Sequence, residues 1–234
     1  MSSRRAEAFS DGVFAVAITL LVFNLLEVGA GAGGLGHHPY HVLLSAWPNY
    51  FAYAVSFLTI GIMWINHHAM FGAITLVDRK LLIINLVALM GVVAIPFPTA
   101  LIARELADRF AAGQASADAL TGGKAAAVAY GVVMIAISVG YSGIWMYIAA
   151  HLKKLGAVRD LEVPHVANLQ FSAGLFGYVA ATLIAAFVSG LAALIIYGLL
   201  AIYYMFEHLP GRRDPGAGDE PADPDEATAG EPVP

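Results

Sequence analysis

Apolar stretches of roughly 20 residues recur along the chain, each the length a helix needs to cross the hydrocarbon core of a bilayer. They lie near residues 6–28, 47–71, 81–103, 125–151, 166–187 and 190–208, with polar or charged breaks between them. The pattern predicts an all-α membrane protein with six transmembrane helices in one domain over residues 1–208. Pro96 and Pro98 fall near the outer end of the third run, where the missing amide donors interrupt a helix. The last two runs are separated only by a short break around Ser189 and Gly190, which predicts a tight helical hairpin.

Composition fixes the solvent. Apolar residues make up 59% of the 234 positions and charged residues 12%, and mean hydropathy is +0.72. A water-soluble domain of this size does not carry such a balance. From Leu209 onward the sequence turns to Pro, Gly, Ala, Asp and Glu, which bury too little apolar surface to offset ordering entropy. Residues 209–234 are expected to be a disordered acidic cytoplasmic tail. That segment holds two arginines against seven acids and so accounts for the whole formal charge of −5. The rest is neutral, with no basic field to hold nucleic acid. The absence of cysteine excludes disulfides, thiolate metal sites and a cysteine nucleophile.

Orientation follows from the lysines and arginines, which favour the cytoplasmic side. With both termini inside, nine fall on that side (Arg4, Arg5, Arg79, Lys80, Lys153, Lys154, Arg159, Arg212 and Arg213) and three outside (Arg104, Arg109 and Lys124). The first run is longer than a signal-peptide core and contains Glu7 and Asp11, so it is expected to be a retained span.

Asp11 sits about one turn inside that run, where an unpaired carboxylate costs a few kcal/mol. It therefore needs partners. Arg5 is placed to snorkel to the interface, and Ser10 and Asp11 occupy neighbouring positions able to face other helices. Trp64 and His67, three residues apart near the end of the second run, share a helix face and offer ring N–H donors. Asn85, early in the third run, lies at a similar depth. Packing of the first three helices would join Ser10, Asp11, Trp64, His67 and Asn85 in one hydrogen-bond network. A helix start with solvated charges is the plainer alternative. Phe9, Val13, Val16, Leu20, Phe23 and Glu27 form a stripe at steps of three and four. From spacing alone such a stripe reads as ordinary lipid-facing or core surface, and a pore role is the less expected reading.

The run from Arg5 to Val22, with its Arg5-x-x-x-Phe9-Ser10-Asp11 opening, resembles the R-x-x-x-F-S-D signature of the transmembrane protein 175 family of potassium channels. Tyr53-x-x-Ser56-Phe57, Trp64-x-x-His67-His68, Asn85 and Pro96-Phe97-Pro98-Thr99 match in the same order. The likeness covers roughly the first 150 residues well and the last two runs in pattern. It implies a homotetramer of six-helix subunits around a pore lined by the first helix, in the plasma membrane. The constriction is then apolar, at Val16, Leu20 and Phe23, in place of the absent T-V-G-Y-G carbonyl filter. Val16 is smaller and Phe23 larger than the residues common at those positions in the family. Thr19 is placed beside the stripe as a hydroxyl, and Glu27 at the outer mouth. Arg5, Phe9, Ser10, Asp11, Trp64, His67 and Asn85 become a structural network. The resemblance thus implies a passive, modestly selective potassium-permeable channel. Its partners are the bilayer, potassium ions and other copies of itself, with no cofactor beyond the permeant ion and no enzymatic activity.

Other chemistry is thinly represented. His37, His38 and His41 lie in an outer loop with no fixed helical spacing, so a metal site there is not expected. His67-His68 lacks the converging ligands of a membrane metalloenzyme. Glycines 131, 140, 143, 174 and 177 read as helix-packing positions. The serious rival is a proton-coupled transporter using Asp11 and His67.

Overall fold

The computed structural model describes residues 1–26, 28, 39–111, 117–157, 165–188 and 190–206. Within them the chain forms α1 (Ser3–Leu20), α2 (Phe23–Leu26), α3 (Pro39–Ser45), α4 (Trp47–Gly72), α5 (Arg79–Ala94), α6 (Pro96–Ala111), α7 (Ala117–Ala150), α8 (His165–Phe187) and α9 (Gly190–Phe206). Among the described residues, four continuous helical stretches are long and apolar enough to cross a membrane: Ser3–Leu26, Trp47–Gly72, Arg79–Asp108 and Gly123–Ala150. A shorter apolar stretch, Gly174–Phe187, lies within α8. Glu27, His37, His38 and the acidic tail lie outside the described residues.

The first stretch is continuous but tightened. At Leu21 and Val22 the amides bond back to Ile18 and Thr19 at 3.3 and 3.2 Å, three residues away rather than four. The Thr19 hydroxyl donates to the Val16 carbonyl at 2.9 Å one turn earlier. Such side-chain back-bonding competes with the helical ladder and accompanies bends.

The third run behaves as its prolines dictate. Proline lacks an amide donor but is tolerated in a first helical turn, so α5 ends at Ala94 and α6 restarts at Pro96. Helix α6 then continues to Ala111, eight residues past the apolar run. Arg104, Glu105 and Asp108 end the hydrophobicity but are no obstacle to a helix. Helix α7 likewise begins outside the apolar run, at Ala117 rather than near 125.

Helix α7 is the central post, packing against α5, α6, α8 and α9. Its 34 residues make about 50 Å of helix. Glycine lets it approach closely: a Cβ at Gly140 would lie 2.7 Å from the Cβ of Ala88, and one at Gly131 would collide with Thr182 and Tyr197.

One end of the bundle is closed by a short backbone clasp. Antiparallel bridges pair Ser2 with Leu76 and Ile74 with Ala157. The Ser3 amide donates to Thr75 O at 2.9 Å, and the Leu76 amide to Leu155 O at 3.0 Å. Gly156 makes the turn possible with φ of 62°, and its carbonyl accepts from the Thr75 hydroxyl at 3.0 Å. The start of α1 is thereby tied to the α4–α5 loop, and that loop to the end of α7.

Candidate functional site on the first helix

Helix α1 buries one stripe and exposes the other. Ala6, Ser10, Phe14, Ala17 and Leu21, at steps of four, four, three and four, are buried where α1 packs on α4 and α5. Ser10 donates to Ala6 O at 2.9 Å, the usual way a buried serine hydroxyl is satisfied in a helix. The same oxygen accepts from Asn85 Nδ2 at 3.0 Å, and Asn85 Oδ1 lies 2.8 Å from His67 Nε2. All three residues are buried. Because the Asn85 amide already donates to Ser10, its oxygen is left to accept, which makes Nε2 of His67 the donor.

The His67 ring is otherwise enclosed by aromatics. It stacks on Phe71 with centroids 4.4 Å apart and meets Phe14 edge-on at 5.4 Å. Tyr141 of α7 approaches it edge-on at 6.4 Å. Asp11 belongs to a separate pair: Trp64 Nε1 donates to its Oδ1 at 2.8 Å. The five polar residues thus form a buried triad, Ser10-Asn85-His67, and a more exposed Asp11-Trp64 pair. Asp11 and His67 share no hydrogen bond. Arg5 and Phe9, grouped with the network on sequence grounds, are exposed and lie outside it.

The exposed stripe runs through Phe9, Gly12, Val16, Thr19, Phe23 and Leu26. Phe9, Val16 and Phe23 are 56%, 53% and 57% accessible. Of the residues expected on this stripe, Val13 is half-buried and packs on the core, and Leu20 is half-buried. Thr19 lies on the exposed stripe itself rather than beside it. The shift follows from helix geometry: Ser10, Phe14 and Ala17 define the buried side, and Val13 and Leu20 flank that side.

Three further contacts were not foreseen. Glu7 Oε1 lies 2.6 Å from His68 Nδ1, a second link between α1 and α4. Ser56 and Thr99 share a hydrogen bond at 2.9 Å between α4 and α6. Both belong to motifs that carry the family likeness. Asp78 caps α5 by accepting from the Leu81 amide at 3.0 Å, and also accepts from Tyr147 and Lys154, each at 2.6 Å. The Leu81 amide, then Lys154, then the Tyr147 phenol hold its carboxyl well below the usual carboxylate range. An Asp directly ahead of a helical run was the sequence signal available for that cap. Among the described residues no group of three or more His, Asp or Glu is placed to hold a metal.

A family model described as endosomal/lysosomal potassium channel TMEM175 matches residues 5–96, which hold the α1 stripe, the triad and the Asp11-Trp64 pair. A protein named as a potassium channel in Streptomyces collinus is 42% identical over 213 residues, covering 89% of this chain and 94% of its own length. Another from Chamaesiphon minutus is 32% identical over 204 residues, covering 86% and 92% respectively. The crystal structure of a lysosomal potassium-selective channel TMEM175 homolog from Chamaesiphon minutus superposes with a TM-score of 0.66 at 30% identity, covering 87% of this chain and 96% of that one. The chain belongs to the TMEM175 family of multi-pass membrane ion channels.

Proposed function

We propose that the chain is the subunit of a homotetrameric, potassium-permeable channel with six membrane-crossing helices per subunit and a pore lined by α1. The observation that carries this reading is the uncovered stripe of α1 lying opposite a face that buried polar bonds fix in place. Four copies joined along that stripe would bring Val16, Phe23 and the flanking Leu20 around one axis. Thr19 would offer a ring of hydroxyls within the same neck, and Glu27 would stand at its outer mouth. Such a neck gates by dewetting and filters by the cost of partial dehydration. With no carbonyl ring to replace lost water, discrimination of potassium from sodium is modest. The Ser10-Asn85-His67 triad and the Asp11-Trp64 pair hold α1 at its angle. The basic end of the bundle is cytoplasmic and the membrane is the plasma membrane.

Purified protein in liposomes tests the reading. Potassium is expected to move down its gradient with no co-substrate and no saturation over the millimolar range. Saturable flux that requires a proton gradient would overturn it in favour of a carrier.

A further inference from the structure

The backbone clasp draws three basic pairs to one end of the bundle. Arg4 and Arg5 follow Ser3, Arg79 and Lys80 follow the Leu76 bridge, and Lys153 and Lys154 precede Leu155. All six side chains are exposed. Among the described residues the acids at this end are Glu7, paired with His68, Asp78, paired with Lys154, and one turn further along α1 Asp11, which accepts from Trp64. The rim is therefore strongly positive. Arg159, Asp160 and Glu162 lie outside the described residues and carry a net charge of −1.

The last described helix, α9, ends on this same side of the bundle. Tyr197 of α9 donates to Ala127 O of α7 at 3.2 Å. Four residues on, Ala201 lines a cavity with Ser138 and Tyr141 of α7. Helix α9 therefore runs parallel to α7 and ends on the side of Lys153 and Lys154. Beyond Phe206 the sequence contains Asp214, Asp219, Glu220, Asp223, Asp225, Glu226 and Glu231 against Arg212 and Arg213. The 28 residues after Phe206 span up to about 90 Å when extended, enough to reach any part of the rim.

We infer that the acidic segment 214–231 docks on the rim formed by Arg4, Arg5, Arg79, Lys80, Lys153 and Lys154 of its own or a neighbouring copy, neutralising it. Charge complementarity and the shared end of the bundle select this occupant. The contact stands apart from the channel reading. Its consequence rests on that reading: an uncovered positive rim repels cations from the adjacent pore mouth, and the tail removes that repulsion.

Carbodiimide, which joins a carboxylate to an amine at ion-pair distance, tests the contact on the full chain in nanodiscs of phosphatidylcholine or phosphatidylglycerol. Coupling of Lys154 to Asp78 serves as the internal control. Tail peptides are expected to couple to Lys80 and Lys153 in both lipids and not to Lys124 at the opposite end. That coupling is expected to be largely lost at about 0.5 M salt, where the screening length is about 4 Å. Equal coupling to Lys124, or no tail coupling beside intact Asp78 coupling, would overturn the proposal. Coupling in phosphatidylcholine that disappears in phosphatidylglycerol would also overturn it, assigning the rim to anionic headgroups.

Discussion

Asn85 of α5 bridges Ser10 of α1 and His67 of α4, donating to the first at 3.0 Å and accepting from the second at 2.8 Å. One amide side chain thereby ties three helices at a buried point. Asn85→Ala would strand the His67 N–H, and a buried unpaired donor costs roughly 1–3 kcal/mol. The variant is expected to melt several degrees below the parent in detergent. Ser10→Ala should cost less, because Ser10 also satisfies itself on Ala6 O. Equal melting temperatures for Asn85→Ala and the parent would show that the triad does not hold the helices.

Trp64 and Asp11 form the more exposed link. Trp64→Phe removes the donor while keeping an aromatic ring, and a charge-assisted bond that is partly solvated contributes about 1 kcal/mol. The expected result is a smaller loss than for Asn85→Ala, measured in the same melt. A double-mutant cycle of Asp11→Ala with Trp64→Phe is expected to show a coupling near 1 kcal/mol. Strict additivity would mean that the pair contributes nothing of its own.

The partners of Asp11 and His67 were legible by type and only partly by pairing. A carboxylate inside an apolar run demands donors, and Trp64, His67 and Asn85 were the polar groups at its depth. Sequence spacing alone could not divide them into a triad and a pair, because that division depends on how α1 and α4 are rotated against each other. The same rotation, set by which small residues of α1 pack inward, moved Leu20 and Val13 toward the core and Thr19 outward. The apolar runs locate the spans but not the helix ends: hydrophobicity ends where a span leaves the lipid, whereas the Ala, Leu, Arg and Glu after residue 103 carry α6 on to Ala111.

The Asp78 cap carries a pH dependence with a definite sign. Its carboxyl is held below the usual range by the Leu81 amide, Lys154 and Tyr147. A depressed folded pKa contributes stability that is full above the unfolded value, about 4, and lost only as pH falls through the lower folded value. Asp78→Asn is therefore expected to be less stable than the parent by a constant margin from neutral pH down to about 4. Below that the margin should shrink. A margin that already closes between pH 7 and 5 would show that another group governs the difference.

Close packing of α7 on α5 predicts a steric effect without any polar change. A Cβ at Gly140 would sit 2.7 Å from Ala88 Cβ and 2.9 Å from its Cα, contacts that only a backbone shift can relieve. Gly140→Ala is expected to cost about 1–3 kcal/mol. Adding Ala88→Gly should restore part of the loss. Failure of that second change to help would place the strain elsewhere.

The stripe of α1 separates exposed from half-buried positions, and the two classes predict different readouts. Val16→Ala and Phe23→Ala remove exposed side chains, so they are expected to raise potassium current with little change in melting temperature. A barrier lowered by about 1 kcal/mol would raise the current about five-fold. Leu20→Ala truncates a half-buried residue and is expected to lower stability as well as widen the neck. Thr19→Val keeps the shape of the side chain and removes its hydroxyl, which isolates any contribution of that group to potassium over sodium preference. Single-channel recordings in mixed potassium and sodium read all four variants. If Val16→Ala and Phe23→Ala leave both conductance and selectivity unchanged while the protein remains assembled, the exposed face of α1 meets lipid and the pore lies elsewhere.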